Sequence, residues 1–136
     1  MQPTKTNPPM NLFVIDDHPL MREAVVMLLR RLRPGANVVE LDRIGGIDAA
    51  VRQHGAPDLI CLDLKLPDTT GTSGVHEIKN LFPGTPLAVI SASPAADAEE
   101  ICIDAGADIY IEKSSGAGEI GNALRALLSA DGQFEE

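Results

Sequence analysis

Leu59-Ile60-Cys61-Leu62-Asp63-Leu64-Lys65-Leu66-Pro67 is the stretch that decides how this chain folds. Its first four residues form an unbroken apolar run, which reads as a strand buried on both faces in the middle of a parallel sheet. Asp63 then falls at the carboxyl end of that strand, where a buried carboxylate is costly unless something uses it. Ligands of open α/β sheets bind at strand carboxyl ends, so this is where chemistry is expected. Taken alone, Asp63 reads as the cap of the following turn. What the other strands end in changes that reading.

Upstream, Asn11-Leu12-Phe13-Val14-Ile15 reads as a first strand ending in Asp16-Asp17. After His18, Pro19 suits a first helical turn, and Met21, Ala24, Val25, Leu28 and Leu32 recur at helical spacing until Pro34-Gly35 stops them. Val38 to Leu41 gives a second strand, and Ile47, Ala50 and Val51 a weaker helix ended by Gly55 and Pro57. Downstream of Asp63, Val75, Ile78 and Phe82 mark a helix, Leu87 to Ile90 a strand ending at Ser91, and Ser93-Pro94 the start of a helix with the stripe Ala98, Ile101, Cys102 and Ala105, closed by Gly106. Asp108 to Glu112 is a fifth strand ending at Lys113, and Ile120, Ala123, Leu124, Leu127 and Leu128 mark a last helix. Five strand–helix alternations predict an α/β fold with a five-stranded parallel sheet, helices on both faces and right-handed crossovers. At this size the flavodoxin-like strand order 2-1-3-4-5 is the natural solution.

With 136 residues and 44% hydrophobic content, the chain fits one domain with a real core. The expected boundaries are a disordered leader over 1–10, rich in proline, the domain over 11–129, and a polar tail or linker over 130–136. A net charge of -9 argues against holding DNA or an anionic membrane by field alone and favours a cation or a basic partner. Cys61 on a core strand and Cys102 on a helix stripe suit two reduced thiols in a cytosol better than a disulfide framework. No apolar run approaches the roughly 18 residues of a membrane span, and no signal peptide is visible.

In a parallel sheet the strand ends share one edge, so Asp16, Asp17, Asp63, Ser91 and Lys113 should converge. Two carboxylates about 4 Å apart repel by roughly 4 kcal/mol at an effective dielectric near 20, so three together call for a cation. Oxygen-only ligation favours Mg²⁺, which takes one or two carboxylates, keeps waters and brings a phosphate. Each residue by itself has a plain structural reading, as a cap, a turn residue or a snorkelling strand end. Their joint placement is what favours function.

Here the sequence resembles the receiver domain of two-component response regulators, from about Asn11 to Leu128. The resemblance rests on Val14-Ile15-Asp16-Asp17-His18-Pro19, on Asp63-Leu64-Lys65-Leu66-Pro67 with Gly71, on Ile90-Ser91-Ala92, and on Gly106-Ala107-Asp108 through Tyr110 to Lys113. It implies a (βα)5 receiver fold in which Asp63 accepts a phosphoryl group from the phosphohistidine of a sensor histidine kinase. It further implies Mg²⁺ held by Asp17, Asp63 and the Lys65 backbone carbonyl, with Asp16 acting through water. Lys113 matches the lysine that pairs with the phosphoryl group, Ser91 the switch hydroxyl and Tyr110 the aromatic rotamer switch. Such a protein is a switch that catalyses only its own phosphorylation and dephosphorylation.

Two positions depart from the family pattern. Ser114 stands where proline often follows the lysine, which puts the loop after Lys113 in doubt and favours a trans bond there. Thr72 replaces the usual apolar residue after Gly71, loosening the start of that helix. A haloacid-dehalogenase-like phosphatase shares the strand-end Asp, hydroxyl, Lys and Mg²⁺, but needs a second Asp two residues past the nucleophile, where Lys65 stands. A flavin carrier of the same fold would not place Asp16-Asp17 where a phosphate docks, and a pseudo-receiver would not keep Asp63, Asp17 and Lys113 together. Asp17-His18-Pro19-Leu20 followed by Arg22-Glu23-Ala24 looks most like receivers that precede a LuxR/NarL-type helix-turn-helix. The expectation is therefore a cytoplasmic regulatory half that reaches DNA only through a separate output domain, with a phosphorylation-dependent homodimer open to it and no membrane partner. A stand-alone receiver docking another protein is the alternative.

Overall fold

The computed structural model of the protein describes residues 9–132. Strand and helix alternate through β1 (Asn11–Ile15), α1 (Pro19–Leu32), β2 (Asn37–Leu41), α2 (Ile47–His54), β3 (Leu59–Leu62), α3 (Ser73–Leu81), β4 (Leu87–Ser91), α4 (Ala95–Ala105), β5 (Ile109–Glu112) and α5 (Ala117–Gly132). The strands form one sheet in the order β2-β1-β3-β4-β5, every neighbouring pair parallel, as expected. This is the receiver-like α/β architecture, with the order reversing between β1 and β3.

Because side chains alternate along a strand, each strand feeds two cores. Leu12, Val14, Leu59, Cys61, Ala88 and Ile90 pack against Val25, Val26 and Leu29 of α1 and Ile120, Leu124 and Leu128 of α5. Phe13, Ile15, Ile60, Leu62 and Val89 face Ile47, Val75, Ile78 and Cys102, from α2, α3 and α4. All four residues of β3 are buried, which is why its sequence reads as a continuous apolar run.

Three local expectations are corrected. The buried line of α1 is Val25, Val26 and Leu29, with Ala24 exposed and Met21, Leu28 and Leu32 at its margins. On α4 the buried positions are Ala98 and Cys102, while Ile101 is 55% exposed. That helix begins one residue later than expected, with Pro94 at its N-cap and no capping side chain from Ser93. Of the expected leader, residues 1–8 lie outside the described residues, whereas Met10 packs against the core and its carbonyl accepts from the Asn37 N–H (2.7 Å). At the other end α5 runs to Gly132, over the first residues read as a tail, and 133–136 lie outside the described residues.

Gly106 ends α4 with φ +124, and a Cβ there would stand 2.7 Å from Lys79 Cγ. Only glycine meets both demands at this turn. Cys61 and Cys102 are both free and buried. Burial pushes the Cys61 thiol up to about 12 and raises that of Cys102. The thiolate is the nucleophile, so neither should react with a disulfide reagent at pH 8 in the native protein, and both should react on unfolding in urea. A fast native thiol signal would contradict this packing.

Candidate functional site

The register of the central strands builds the site. Ile15 pairs with Leu62, so Asp16 and Asp63 follow side by side off adjacent strand ends. The Asp63 N–H donates to the Ile15 carbonyl (2.9 Å) and the Asp16 N–H to the Leu41 carbonyl (3.0 Å), which fixes both backbones where the sheet stops. Two strands away, Ser91 pairs with Glu112, and Lys113 leaves the end of β5. Its side chain reaches back across the sheet edge: Nζ lies 3.1 Å from Asp16 Oδ2 and 3.2 Å from Asp63 Oδ2.

Asp16 and Asp63 are 4% and 3% exposed, while Asp17 faces solvent. Three carboxylates against one ammonium leave two negative charges uncompensated. Burial, then the Asp16 carboxylate, pushes the Asp63 carboxyl above the usual carboxylate range, and the Lys113 ammonium works in the opposite direction. Asp16, Asp17, His18 and Asp63 offer ligating atoms that all lie within 4.8 Å of one another. A hard-donor cluster of that charge suits a divalent cation. The neighbouring loop adds to it: the Lys65 N–H donates to Asp63 Oδ1 (3.4 Å), and the Leu64 and Leu66 carbonyls accept from Thr69 Oγ1 at 2.9 and 3.5 Å. Between them the Lys65 carbonyl has no protein donor among the described residues.

Residues 12–125 match the family described as response regulator receiver domain. The chain belongs to that family. The receiver is 35% identical over 125 residues to the Mycobacterium tuberculosis protein named "Probable transcriptional regulatory protein TcrX", covering 91% of this chain and 52% of that one. It is 33% identical over 130 residues to the nitrate/nitrite response regulator protein NarP of Escherichia coli, covering 94% and 59%. A LuxR-family two-component response regulator from Aurantimonas sp. SI85-9A1 superposes with a TM-score of 0.76 at 28% identity, covering 90% of this chain and 87% of that one. LuxR/NarL-like receivers thus stand among its kin by sequence and by structure, and it spans about half the length of the curated relatives. Among the described residues no helix is long and apolar enough to cross a membrane.

Of the residues singled out in the sequence, Asp16, Asp17, Asp63 and Lys113 meet in the receiver's acidic pocket. Ser91 and Tyr110 sit one step away. Ser91 is fully buried, and its Oγ accepts from the Ser93 N–H (3.1 Å). The half-buried Tyr110 donates its hydroxyl to the Ser93 carbonyl (2.7 Å), so both hold the loop between β4 and α4. Burial raises the Tyr110 phenol, keeping it a donor at neutral pH. After Lys113 the chain makes a 3-10 turn, Lys113–Ser115, with no cis peptide bond among the described residues. Thr72 does not cap α3 with its side chain, although its carbonyl accepts the His76 N–H (3.2 Å).

His18 is the residue that sequence reasoning passed over. Its Nδ1 lies 2.9 Å from Asp16 Oδ1 and 3.1 Å from Lys113 Nζ. Its N–H also donates to Asp16 Oδ1 (2.9 Å). The one available signal was its place directly after the strand-end pair.

A folded-state value raised above that of the unfolded chain means that Asp63 contributes stability below its unfolded value of about 3.8 and loses it as pH climbs through the folded one. At neutral pH, without a divalent cation, ionised Asp63 is thus a net cost to the fold. Asp63→Asn should raise the melting temperature at neutral pH and flatten the decline in stability as pH climbs above about 3.8. A lower melting temperature than that of the parent would contradict this electrostatic picture.

Proposed function

We propose that this receiver is a phosphorylation-activated switch in which Asp63 takes a phosphoryl group from a sensor histidine kinase. The observation that carries the reading is the Lys113 ammonium held within 3.2 Å of both Asp16 and Asp63, beside an exposed Asp17, at the carboxyl edge of the sheet. Mg²⁺ would be held by Asp17, Asp63, the Lys65 carbonyl and, through water, Asp16, and would supply charge neutralisation for the transfer.

The chain's own groups do the positioning. An Asp63 carboxylate oxygen forms the new P–O bond as the donor's P–N bond breaks, and the electron pair leaves with the donor imidazole. Lys113 pairs with the transferred oxygens, and Ala92, small and exposed, leaves the approach clear. Once Asp63 carries the group, the Ser91 hydroxyl follows its oxygens, and the Ser93 loop moves with it. Tyr110 loses or keeps its Ser93 partner accordingly, and the face of α4, β5 and α5 reports the change. Self-catalysed dephosphorylation belongs to the same site. Lys65 stands two residues past Asp63, where a haloacid-dehalogenase-like phosphatase needs its acid/base Asp.

The donor is read as a protein because an apolar groove adjoins the site. Pro19, Leu20, Met21 and Ala92 line it with His18 and Lys113, and Leu20 is 83% exposed. Since relatives such as TcrX are about twice the matched length, the reading extends to a cytoplasmic transcription factor whose DNA-binding output domain lies outside this chain, with phosphorylation-dependent homodimerisation as its means of control. A net charge of -9 leaves DNA contact to that other domain. The alternative is a stand-alone receiver docking a protein.

Intact-mass measurement with a small phosphodonor should show one phosphoryl group, dependent on Mg²⁺ and absent in Asp63→Asn. Leu20→Glu should leave that uptake intact and slow transfer from a phosphorylated kinase at least about fivefold, since charge in an apolar docking surface costs about 1 kcal/mol or more. Undiminished uptake by Asp63→Asn would overturn the acceptor assignment.

A further inference from the structure

The polar contacts of the His18 side chain lie at the acidic edge of the sheet. His18 stands at the amino end of α1, yet makes no side-chain cap bond to that helix. Its side chain is 59% exposed but turned toward the acidic pocket. Nδ1 lies 2.9 Å from Asp16 Oδ1, 3.3 Å from Asp17 Oδ1, 3.4 Å from Asp63 Oδ2 and 3.1 Å from Lys113 Nζ.

One ring nitrogen cannot satisfy four such neighbours. As a donor it has one proton for three carboxylates and no lone pair for the ammonium; as an acceptor it takes Lys113 and turns a lone pair toward the carboxylate oxygens. A divalent cation among them would remove the conflict, because Asp16, Asp17, His18 and Asp63 each offer one ligating atom and these atoms lie within 4.8 Å of one another.

We infer that His18 is a nitrogen ligand of this cation site and biases it toward a first-row transition-metal ion of the Zn²⁺ or Co²⁺ class. The inference rests on the reading above that Asp17 and Asp63 hold a cation. Mg²⁺ prefers all-oxygen octahedral surroundings and keeps its waters, so a ring nitrogen adds little to it. Zn²⁺ and Co²⁺ accept mixed imidazole and carboxylate sets and bind nitrogen more tightly. The exposed ring lets a cation enter from solvent without opening the core.

Calorimetric titration with MgCl₂ and with ZnCl₂ tests this on the parent chain, His18→Ala and Asp17→Asn. Ring-nitrogen NMR of the parent with and without Zn²⁺ gives a readout independent of phosphorylation. Zn²⁺ affinity should fall at least about tenfold in His18→Ala, by comparison with what even indirect ligand contacts are worth, while Mg²⁺ affinity changes less than about twofold. The Nδ1 resonance of His18 should shift on Zn²⁺ addition, and Asp17→Asn should weaken both ions. Unchanged Zn²⁺ affinity in His18→Ala with an unmoved Nδ1 signal would overturn the His18 inference alone. Tighter Mg²⁺ binding without loss of Zn²⁺ would do the same, by making the ring a mere occupant of the cation position. Failure of Asp17→Asn to weaken either ion would instead overturn the cation site itself.

Discussion

Everything at the carboxyl edge of this sheet depends on one shared cation, the Lys113 ammonium, between two buried carboxylates that belong to adjacent strands. Asp16 and Asp63 are held there by the parallel register of β1 and β3 and cannot separate without breaking the backbone bonds that anchor them. A lysine alone leaves the cluster negative, and burial of Asp63 sharpens the imbalance. The fold thus tolerates at this edge an electrostatic debt that a divalent cation and a phosphoryl group would together relieve. Such local conflict, inside a core that is otherwise consistently apolar, is the usual mark of a functional site.

The strand that supplies Lys113 also connects the pocket to a remote surface. Three residues before it, Tyr110 donates to the Ser93 carbonyl, and immediately before it Glu112 accepts the Ala95 N–H at the amino end of α4. Helix α4 has no side-chain cap from the residue that precedes it, so the Ala95 N–H of its first turn is tied to β5 instead. A shift of Lys113 on phosphorylation would therefore be felt at α4 through two neighbouring side chains of one short strand.

The topology was legible because the five apolar runs are short, bounded by glycine or proline, and end in polar residues of different kinds. Asp16, Asp63 and Lys113 could be placed together on that basis, since a parallel sheet brings strand ends to one edge. The burial of helices was read less well. In α4, Ala98 and Cys102 alone are buried, a line too narrow for periodicity to distinguish from one that includes Ile101. The Ser93-Pro94 cap failed because its role passes to Glu112, a partner 17 residues away that no local pattern announces. His18 was overlooked for a related reason: beside a proline after a strand it reads as a loop residue, and only the tertiary approach of Lys113 and Asp63 reveals its surroundings.

The central claim is that, of the three clustered carboxylates, Asp63 carries the phosphoryl group. Borohydride reduces an aspartyl phosphate to homoserine, so brief treatment of the phosphorylated protein followed by peptide sequencing in a mass spectrometer marks the acceptor directly. The account predicts homoserine at position 63 and unmodified aspartate at positions 16 and 17; homoserine at 16 or 17 with position 63 intact would contradict it.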